Sequence, residues 1–459
     1  MIIMKFGGTS VKDAEAMDRV LKIVSSYQQE KPVIVLSACS GITDKLLYLI
    51  TNSPKNSKSK SNKIIAEIEL HHQKIIRNLI NDKELQKQAK IEITKYIEEL
   101  RRLVEGVKLL KECTDRNTAQ AIAYGELLST TIFHYASINK GLKPRLIDAR
   151  TIMKTNSRFL NAVVDFQEVK KNTSSFKKIF KTHDLIITQG FIASDSKGIT
   201  TTLGRGGSDF SAALFGAVLK VQEIQIWTDV TGVLTTDPRL VKSARTIPEI
   251  SFNEMRELSF YGAKVLHPDT IKHAIMKDIP VRILNTYKPK EKGTLIVKNL
   301  TASDTKLHSV ILKQSCVECT IDIPSNVNSQ KFFSEKLNLL SQHSVKILYS
   351  VCTEGNCRII FDDYFENNKK IKMIINQEKL SLKKVSLFCI AGFNLLSSSQ
   401  GKDLILKNNV IQEFLTELSY MNPRQIIFGI SPVSVLILTS PERAFINLNK
   451  IHSFILKNF

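Results

Sequence analysis

The residues most able to do chemistry lie in Thr200–Phe215, which reads Thr-Thr-Thr-Leu-Gly-Arg-Gly-Gly-Ser-Asp-Phe-Ser-Ala-Ala-Leu-Phe. Gly204, Gly206 and Gly207 surround Arg205 with almost no side chain, so the backbone can bend sharply or let a ligand approach. Arg205 looks buried in this setting. Ser208 and Asp209 fall where a helix should begin, ahead of Ala212, Ala213, Leu214 and Phe215 at helical spacing. A helix N-terminus carries free N–H groups and partial positive charge, so the stretch suits an anion.

The elements that must hold this loop alternate along the first half of the chain. Ile2–Phe6 reads as an apolar strand, Gly7-Gly8-Thr9-Ser10 as a tight loop, and residues 11–27 as an amphipathic helix. Pro32–Leu36 is a second strand, followed by Ser37-Ala38-Cys39-Ser40-Gly41-Ile42-Thr43. Residues 51–62 read as a loop, 64–111 as two long surface helices, and 117–136 as a helix broken in character by Gly125-Glu126. Residues 144–147, 185–191 and 223–229 read as further buried strands. Strand–loop–helix repetition of this kind implies a parallel sheet covered by helices, with ligands at the carboxyl ends of the strands.

Near residue 299 the glycine-rich loops stop. Strands at 310–312, 316–323, 345–352, 357–361 and 384–391 then alternate with helices at 329–342 and 365–378. A second round follows, with a helix at 409–420, strands at 424–430 and 433–438, and a helix at 441–457. Two such βαββαβ rounds suggest paired regulatory modules.

Composition narrows the function. The 459-residue chain carries a formal net charge of +21, but its lysines are scattered and no aromatic residues interleave with them, which argues against nucleic acid. Residues 1–8 do not read as a signal peptide, and no apolar run is long enough to predict a membrane span. Seven scattered cysteines point to a reducing cytoplasm. Cys316 and Cys319 could form a zinc site with Cys352 and Cys357. However, the odd spacing of the first two along a strand sends them to opposite faces.

Six motifs in order carry a family resemblance. They are Lys5-Phe6-Gly7-Gly8-Thr9-Ser10, the Ser37–Thr43 stretch, Gly125-Glu126-Leu127, residues 201–209, Trp227-Thr228-Asp229-Val230 with Thr236-Asp237-Pro238-Arg239, and Gly262-Ala263-Lys264-Val265-Leu266-His267-Pro268. Together they resemble aspartokinase of the monofunctional lysine-sensitive type. The resemblance implies an α/β, three-layer, parallel-rich amino-acid-kinase domain (1–298). Two α+β ferredoxin-like ACT domains (299–392 and 393–459) would follow, with strands open to exchange between them.

The activity implied is transfer of the ATP γ-phosphoryl to the side chain of L-aspartate, giving 4-phospho-L-aspartate at the head of the lysine, threonine and methionine pathway. An aspartate carboxylate is ionised at neutral pH, with pKa near ~3.9. The step therefore needs positioning and charge neutralisation rather than a base.

By resemblance, Lys5, Asp209 and Lys264 are catalytic, and Ser40, Thr43, Glu126, Arg205 and Ser208 bind substrate. Lys5, Gly7, Gly8, Thr228, Asp229, Leu234, Arg239 and Lys264 meet ATP. Mg²⁺ is held mainly by the nucleotide phosphates, with no dedicated metal site. Each residue also has a plainer reading. Ser40 and Thr43 could cap a helix at 44–50. Glu126 could sit in an internal ion pair. Asp209 could be a simple helix-end carboxylate.

A cytoplasmic homodimer is implied, with lysine or threonine as effector at the ACT domains. The family's effector turn usually carries glycine, whereas Pro324–Ser329 here has none, which predicts weak or altered feedback by lysine. The rival readings are a kinase of the same fold with another acceptor, and an inactive amino-acid-binding regulator.

Overall fold

The computed structural model describes residues 1–263, 266, 268–300, 306–342, 345–362, 381–393 and 409–457. The chain forms two compact units. The first is Met1–Val233 with Thr246–Phe252 and Val265–Asn299; the second is Leu234–Arg245, Asn253–Lys264 and Leu300–Phe459. Two short stretches ahead of residue 299 thus cluster with the second unit, a division the sequence reading does not make. Their side chains explain it. Leu240 and Val241 pack with Leu307, Val310 and Phe388, and Tyr261 packs with Cys316, Leu348 and Val385.

The first unit is built on an eight-stranded sheet. Its order is Pro144–Ile147, Leu185–Gln189, Pro32–Leu36, Ile2–Phe6, Ile224–Thr228, Val281–Asn285, Thr294–Val297 and Glu249–Ser251. The first six strands pair in parallel. Ile2–Phe6, Pro32–Leu36 and Leu185–Gln189 are apolar and almost wholly buried, as expected of strands covered on both faces. The Asp115–Asn139 helix has buried positions all round its middle, from Tyr124 to Phe133. Helices Lys58–Leu79 and Lys83–Leu110 are amphipathic and show one face to solvent. A smaller sheet of Lys154–Thr155, Ile192–Asp195 and Thr200–Thr202 leads straight into the glycine loop. Its strands are too short for a periodic signal.

The second unit holds a six-stranded antiparallel sheet. The order is Ile347–Cys352, Asn356–Asp362, Lys306–Asp322, Ser381–Phe393, Ser434–Thr439 and Gln425–Ser431. Where the sequence predicts two strands at 310–312 and 316–323, one long strand runs Lys306–Asp322. A register shift between Lys313 and Cys316 produces the apparent break. Cys316 and Cys319 are both buried in this strand, in separate apolar clusters. The helix expected at 365–378 lies outside the described residues.

Candidate active site

Four neighbouring strands of the first unit end side by side: Ile2–Phe6, Pro32–Leu36, Leu185–Gln189 and Ile224–Thr228. Gly7, Ser37, Gly190 and Asp229 follow their last residues or lie next to them, so the site is formed at the carboxyl edge of the parallel sheet. The Gly207–Leu219 helix starts over this edge. Gly206 at its N-cap has φ +71°, and Gly204 has φ +74°, a conformation that strains any other residue. The backbone also leaves no room: a Cβ at Gly204 would fall 2.2 Å from Asn161 Oδ1.

Ser208 and Asp209 are the second and third residues of that helix, as the sequence predicts. Their N–H groups have no acceptor within the helix and none among the described residues. Lys5, in the first strand, reaches Asp209, with Nζ 2.7 Å from Oδ1 and both side chains mostly buried. The lysine of the first strand is thereby tied to a residue in the first turn of this helix.

Ser208 is tied to the second strand's loop by the Ser37 hydroxyl, which donates to Ser208 Oγ at 3.0 Å. Ser129 Oγ in turn donates to Ser37 O at 2.8 Å. Glycines set the spacing. A Cβ at Gly190 would meet Ser208 Cβ at 2.6 Å, and one at Gly8 would meet Ala38 O at 2.9 Å. A Cβ at Gly125 would lie 2.7 Å from Ala38 Cβ, so glycine there lets the Asp115–Asn139 helix close onto the loop.

That approach delivers Glu126. Its side chain is 3% exposed, and Oε1 accepts the Ala38 N–H at 3.1 Å. Oε2 is buried without a partner. Among the described residues no cation pairs with it, so the internal ion pair does not form. Burial pushes its carboxyl up to about 8, against which the single backbone bond works only in part. The nearby Cys39 thiol is pushed up to about 12, first by burial and then by Glu126, and is inert as a nucleophile.

Several expectations change. Arg205 is exposed rather than buried, and stands on the turn just before the N-cap Gly206. Among the described residues it has no ion-pair or hydrogen-bond partner. The Gly7 N–H is not available to a phosphate, since it donates to Trp227 O at 3.3 Å and stitches the first strand to its neighbour. The Gly8 N–H, at the start of a short 3-10 turn, has no acceptor within it. Ser40 and Thr43 do not cap a helix. The helix runs Ile42–Asn52 with Gly41 at its N-cap and no side-chain capping bond.

On the other side of the first strand, Thr228 Oγ1 donates to Asp229 Oδ1 at 3.1 Å, and Asp229 is exposed. Thr286 holds this strand end by donating its N–H and hydroxyl to Thr228 O. Leu234 and Arg239 fall in the second unit. There Leu234 O accepts the Ser309 hydroxyl, and the Arg239 fork is taken by its neighbour Asp237, with Nη2 2.6 Å from Oδ2. Lys264 lies outside the described residues. Sequence reasoning missed Ser37, Ser129 and Gly190. Their only signal was small residues next to strand ends and in a buried helix.

Residues 1–285 match the model of the amino acid kinase family. Lysine-sensitive aspartokinase 3 of Escherichia coli is 31% identical over 460 residues, covering 99% of this chain and 98% of that protein. The structure of E. coli aspartokinase III in complex with lysine and aspartate (T-state) superposes with a TM-score of 0.84 at 28% identity. It covers 100% of this chain and 99% of that one. The same enzyme in complex with aspartate and ADP (R-state) gives a TM-score of 0.77 at 29% identity, covering 99% and 100%.

Proposed function

The chain belongs to the aspartokinases of the amino acid kinase family, and from that premise we propose that Lys5, Asp209, Glu126 and Arg205 form the centre in which ATP phosphorylates L-aspartate. It is an ATP-dependent kinase with a carboxyl acceptor. The observation that carries the residue assignment is Glu126, a buried carboxylate with one oxygen unpartnered and no cation paired to it among the described residues. Such a group is costly unless a ligand completes it. The α-ammonium of aspartate is that ligand.

Arg205 takes the substrate α-carboxylate with its planar fork. Being exposed and unpaired among the described residues, it meets the substrate without first breaking another contact. The Ser40 and Thr43 hydroxyls, which cap nothing, and Ser208 supply further hydrogen bonds. With both α groups of the amino acid held, its side-chain carboxylate is left free to meet the phosphoryl group at the start of the Gly207–Leu219 helix.

A carboxylate oxygen attacks the γ-phosphorus, the bond to the β-γ bridging oxygen breaks, and ADP leaves. No proton moves. The charge that spreads over the transferring oxygens meets Lys5 and the N–H groups of Gly8, Ser208 and Asp209. Asp209 keeps Lys5 aimed until the phosphate takes over its charge. The Thr228 and Asp229 side chains face the nucleotide. The Asp209 carboxylate is a hard oxygen donor of the kind that would hold a Mg²⁺ brought in by the nucleotide phosphates, whose charge the ion would shield.

We assign residues 299–392 and 393–459 to two ACT modules and propose a homodimer with lysine or threonine as effector. Among the described residues no helix is long and apolar enough to cross a membrane, and we place the enzyme in the cytoplasm. An ATP-dependent hydroxamate assay tests the function. The proposal expects turnover with L-aspartate and little with L-glutamate; no aspartate-dependent signal would refute it.

A further inference from the structure

We propose that Cys352 and Cys357 are a redox couple that closes reversibly to a cross-strand disulfide in the second unit. They face each other directly across the antiparallel pair Ile347–Cys352 and Asn356–Asp362. The Cys357 thiol donates to Cys352 Sγ at 3.3 Å. Both are free thiols, and Cys352 is partly exposed while Cys357 is buried.

The backbone favours closure. The Thr353 N–H donates to Asn356 O at 2.9 Å, so Thr353 and Asn356 form the hydrogen-bonded pair that ends the hairpin. Cys352 and Cys357 are therefore the adjacent non-hydrogen-bonded pair, where facing Cα atoms sit about 4.5 Å apart and side chains are closest. That separation falls within the roughly 4.4–6.8 Å that a disulfide accepts. Closure thus needs side-chain rotation and no backbone movement.

Chemistry orders the two steps. A low-molecular-weight disulfide is the oxidant. Cys352, the accessible member, attacks one of its sulfurs as thiolate; a protein–small-molecule disulfide forms and one small thiol leaves. Cys357 then attacks Cys352 Sγ, the protein disulfide forms, and the second small thiol leaves carrying the other proton. Burial and the adjacent Cys352 push the Cys357 thiol up to about 12, which keeps it out of the first, intermolecular step; its contact with Cys352 Sγ at 3.3 Å serves the second.

The hairpin touches the turn that begins the next helix. Ile323 N–H donates to Gly355 O at 3.0 Å, and Cys352 Sγ lies 3.6 Å from Ser329 O, the first residue of helix Ser329–Gln342. Oxidation would lock the two hairpin strands together and take away the Cys352 S–H that donates to Ser329 O.

The test treats the whole purified chain with oxidised glutathione, unfolds it, alkylates remaining thiols and maps its peptides by mass spectrometry. The expected result is a peptide holding Cys352 and Cys357 that is two hydrogens lighter and unalkylated. Dithiothreitol should restore both thiols, and oxidation should slow amide exchange at Thr353–Asn356. Cys357→Ser should trap glutathione on Cys352. The proposal is overturned if both thiols of the wild type are alkylated, if glutathione stays on Cys352, or if either cysteine pairs elsewhere.

Discussion

The carboxylate of Glu126 accepts one hydrogen bond, from the backbone N–H of Ala38 at 3.1 Å, and its other oxygen is buried with no partner among the described residues. This pairing joins the Asp115–Asn139 helix to the loop after the second strand, and it does so with half of a carboxylate's capacity unused. A ligand cation is the group that completes it.

The ligand-free enzyme should lose stability as pH rises. Glu126 has its carboxyl raised from 4.5 to about 8 in the folded chain. Between those values the folded state holds a proton that the unfolded state has released, so the slope of stability with pH is negative. The proton's contribution is fully present below pH 4.5 and gone above pH 8. Glu126→Gln should therefore stabilise the free protein near pH 8, on the order of 2 kcal/mol. Denaturant unfolding of both proteins at pH 5 and pH 8 measures it; equal stability at pH 8 would count against the assignment.

Lys5→Ala should cost about 10²-fold or more in kcat. It removes the charge that meets the phosphoryl group and leaves Asp209 without its partner at 2.7 Å. Asp209→Asn should lower kcat too, by freeing Lys5 to wander. Steady-state rates at saturating ATP and aspartate decide both; near-normal turnover in Lys5→Ala would remove it from the mechanism.

Arg205→Ala should leave stability nearly unchanged, because the side chain is exposed and has no partner among the described residues. The same change should raise KM for aspartate by about 10-fold to 100-fold, the loss expected for a charge-assisted contact. Arg205→Lys should recover little, since an ammonium cannot reproduce the fork. A KM unaffected by Arg205→Ala would contradict the carboxylate role.

Gly8→Ala should damage the site while the fold survives. The new Cβ would fall 2.9 Å from Ala38 O and 3.3 Å from Ser40 N, both backbone atoms that cannot rotate away. The cost is about 1–3 kcal/mol of stability. Displacement of the Ala38 loop should also weaken its bond to Glu126. Aspartate kinetics and thermal melting measure the two effects separately; unchanged kinetics would show that the loop position is not critical.

Lysine should inhibit weakly or incompletely. The turn Pro324–Asn328 has no glycine, its Val327 N–H is spent on Pro324 O at 3.0 Å, and Asn328 Oδ1 caps the next helix by accepting Lys331 N–H at 2.9 Å. Little backbone is left for an effector carboxylate. A lysine titration of the steady-state rate tests this, and tight, complete inhibition would contradict it.

Much of this was legible in the amino acids because the first unit repeats one device. An apolar strand ends in small residues, and the ligand sits at that end. Lys5 closing a strand before Gly-Gly, and Ser208 and Asp209 after the glycine loop, were readable for that reason. Arg205 was misread as buried because flanking glycines suggest tight packing, whereas here they shape a turn that leaves the arginine in the open. Gly7 was read as a phosphate cradle, yet its N–H is used to join two strands. Ser37 stands in a motif and Ser129 in a buried helix, but their roles depend on a hydrogen bond between segments 92 residues apart, which no local pattern carries. The small sheet was invisible because a three-residue strand has no period. The long strand Lys306–Asp322 looked like two because its bulge interrupts alternation.

The most direct measurement is calorimetric titration of L-aspartate at pH 7 in buffers of different ionisation enthalpy. With the Glu126 carboxyl at about 8, most free enzyme carries a proton there, and an incoming ammonium must displace it. Binding should release close to one proton in the wild type and none in Glu126→Gln, which should also bind aspartate more weakly by about 10-fold or more. Unchanged affinity in Glu126→Gln, or no proton release by the wild type, would contradict the account.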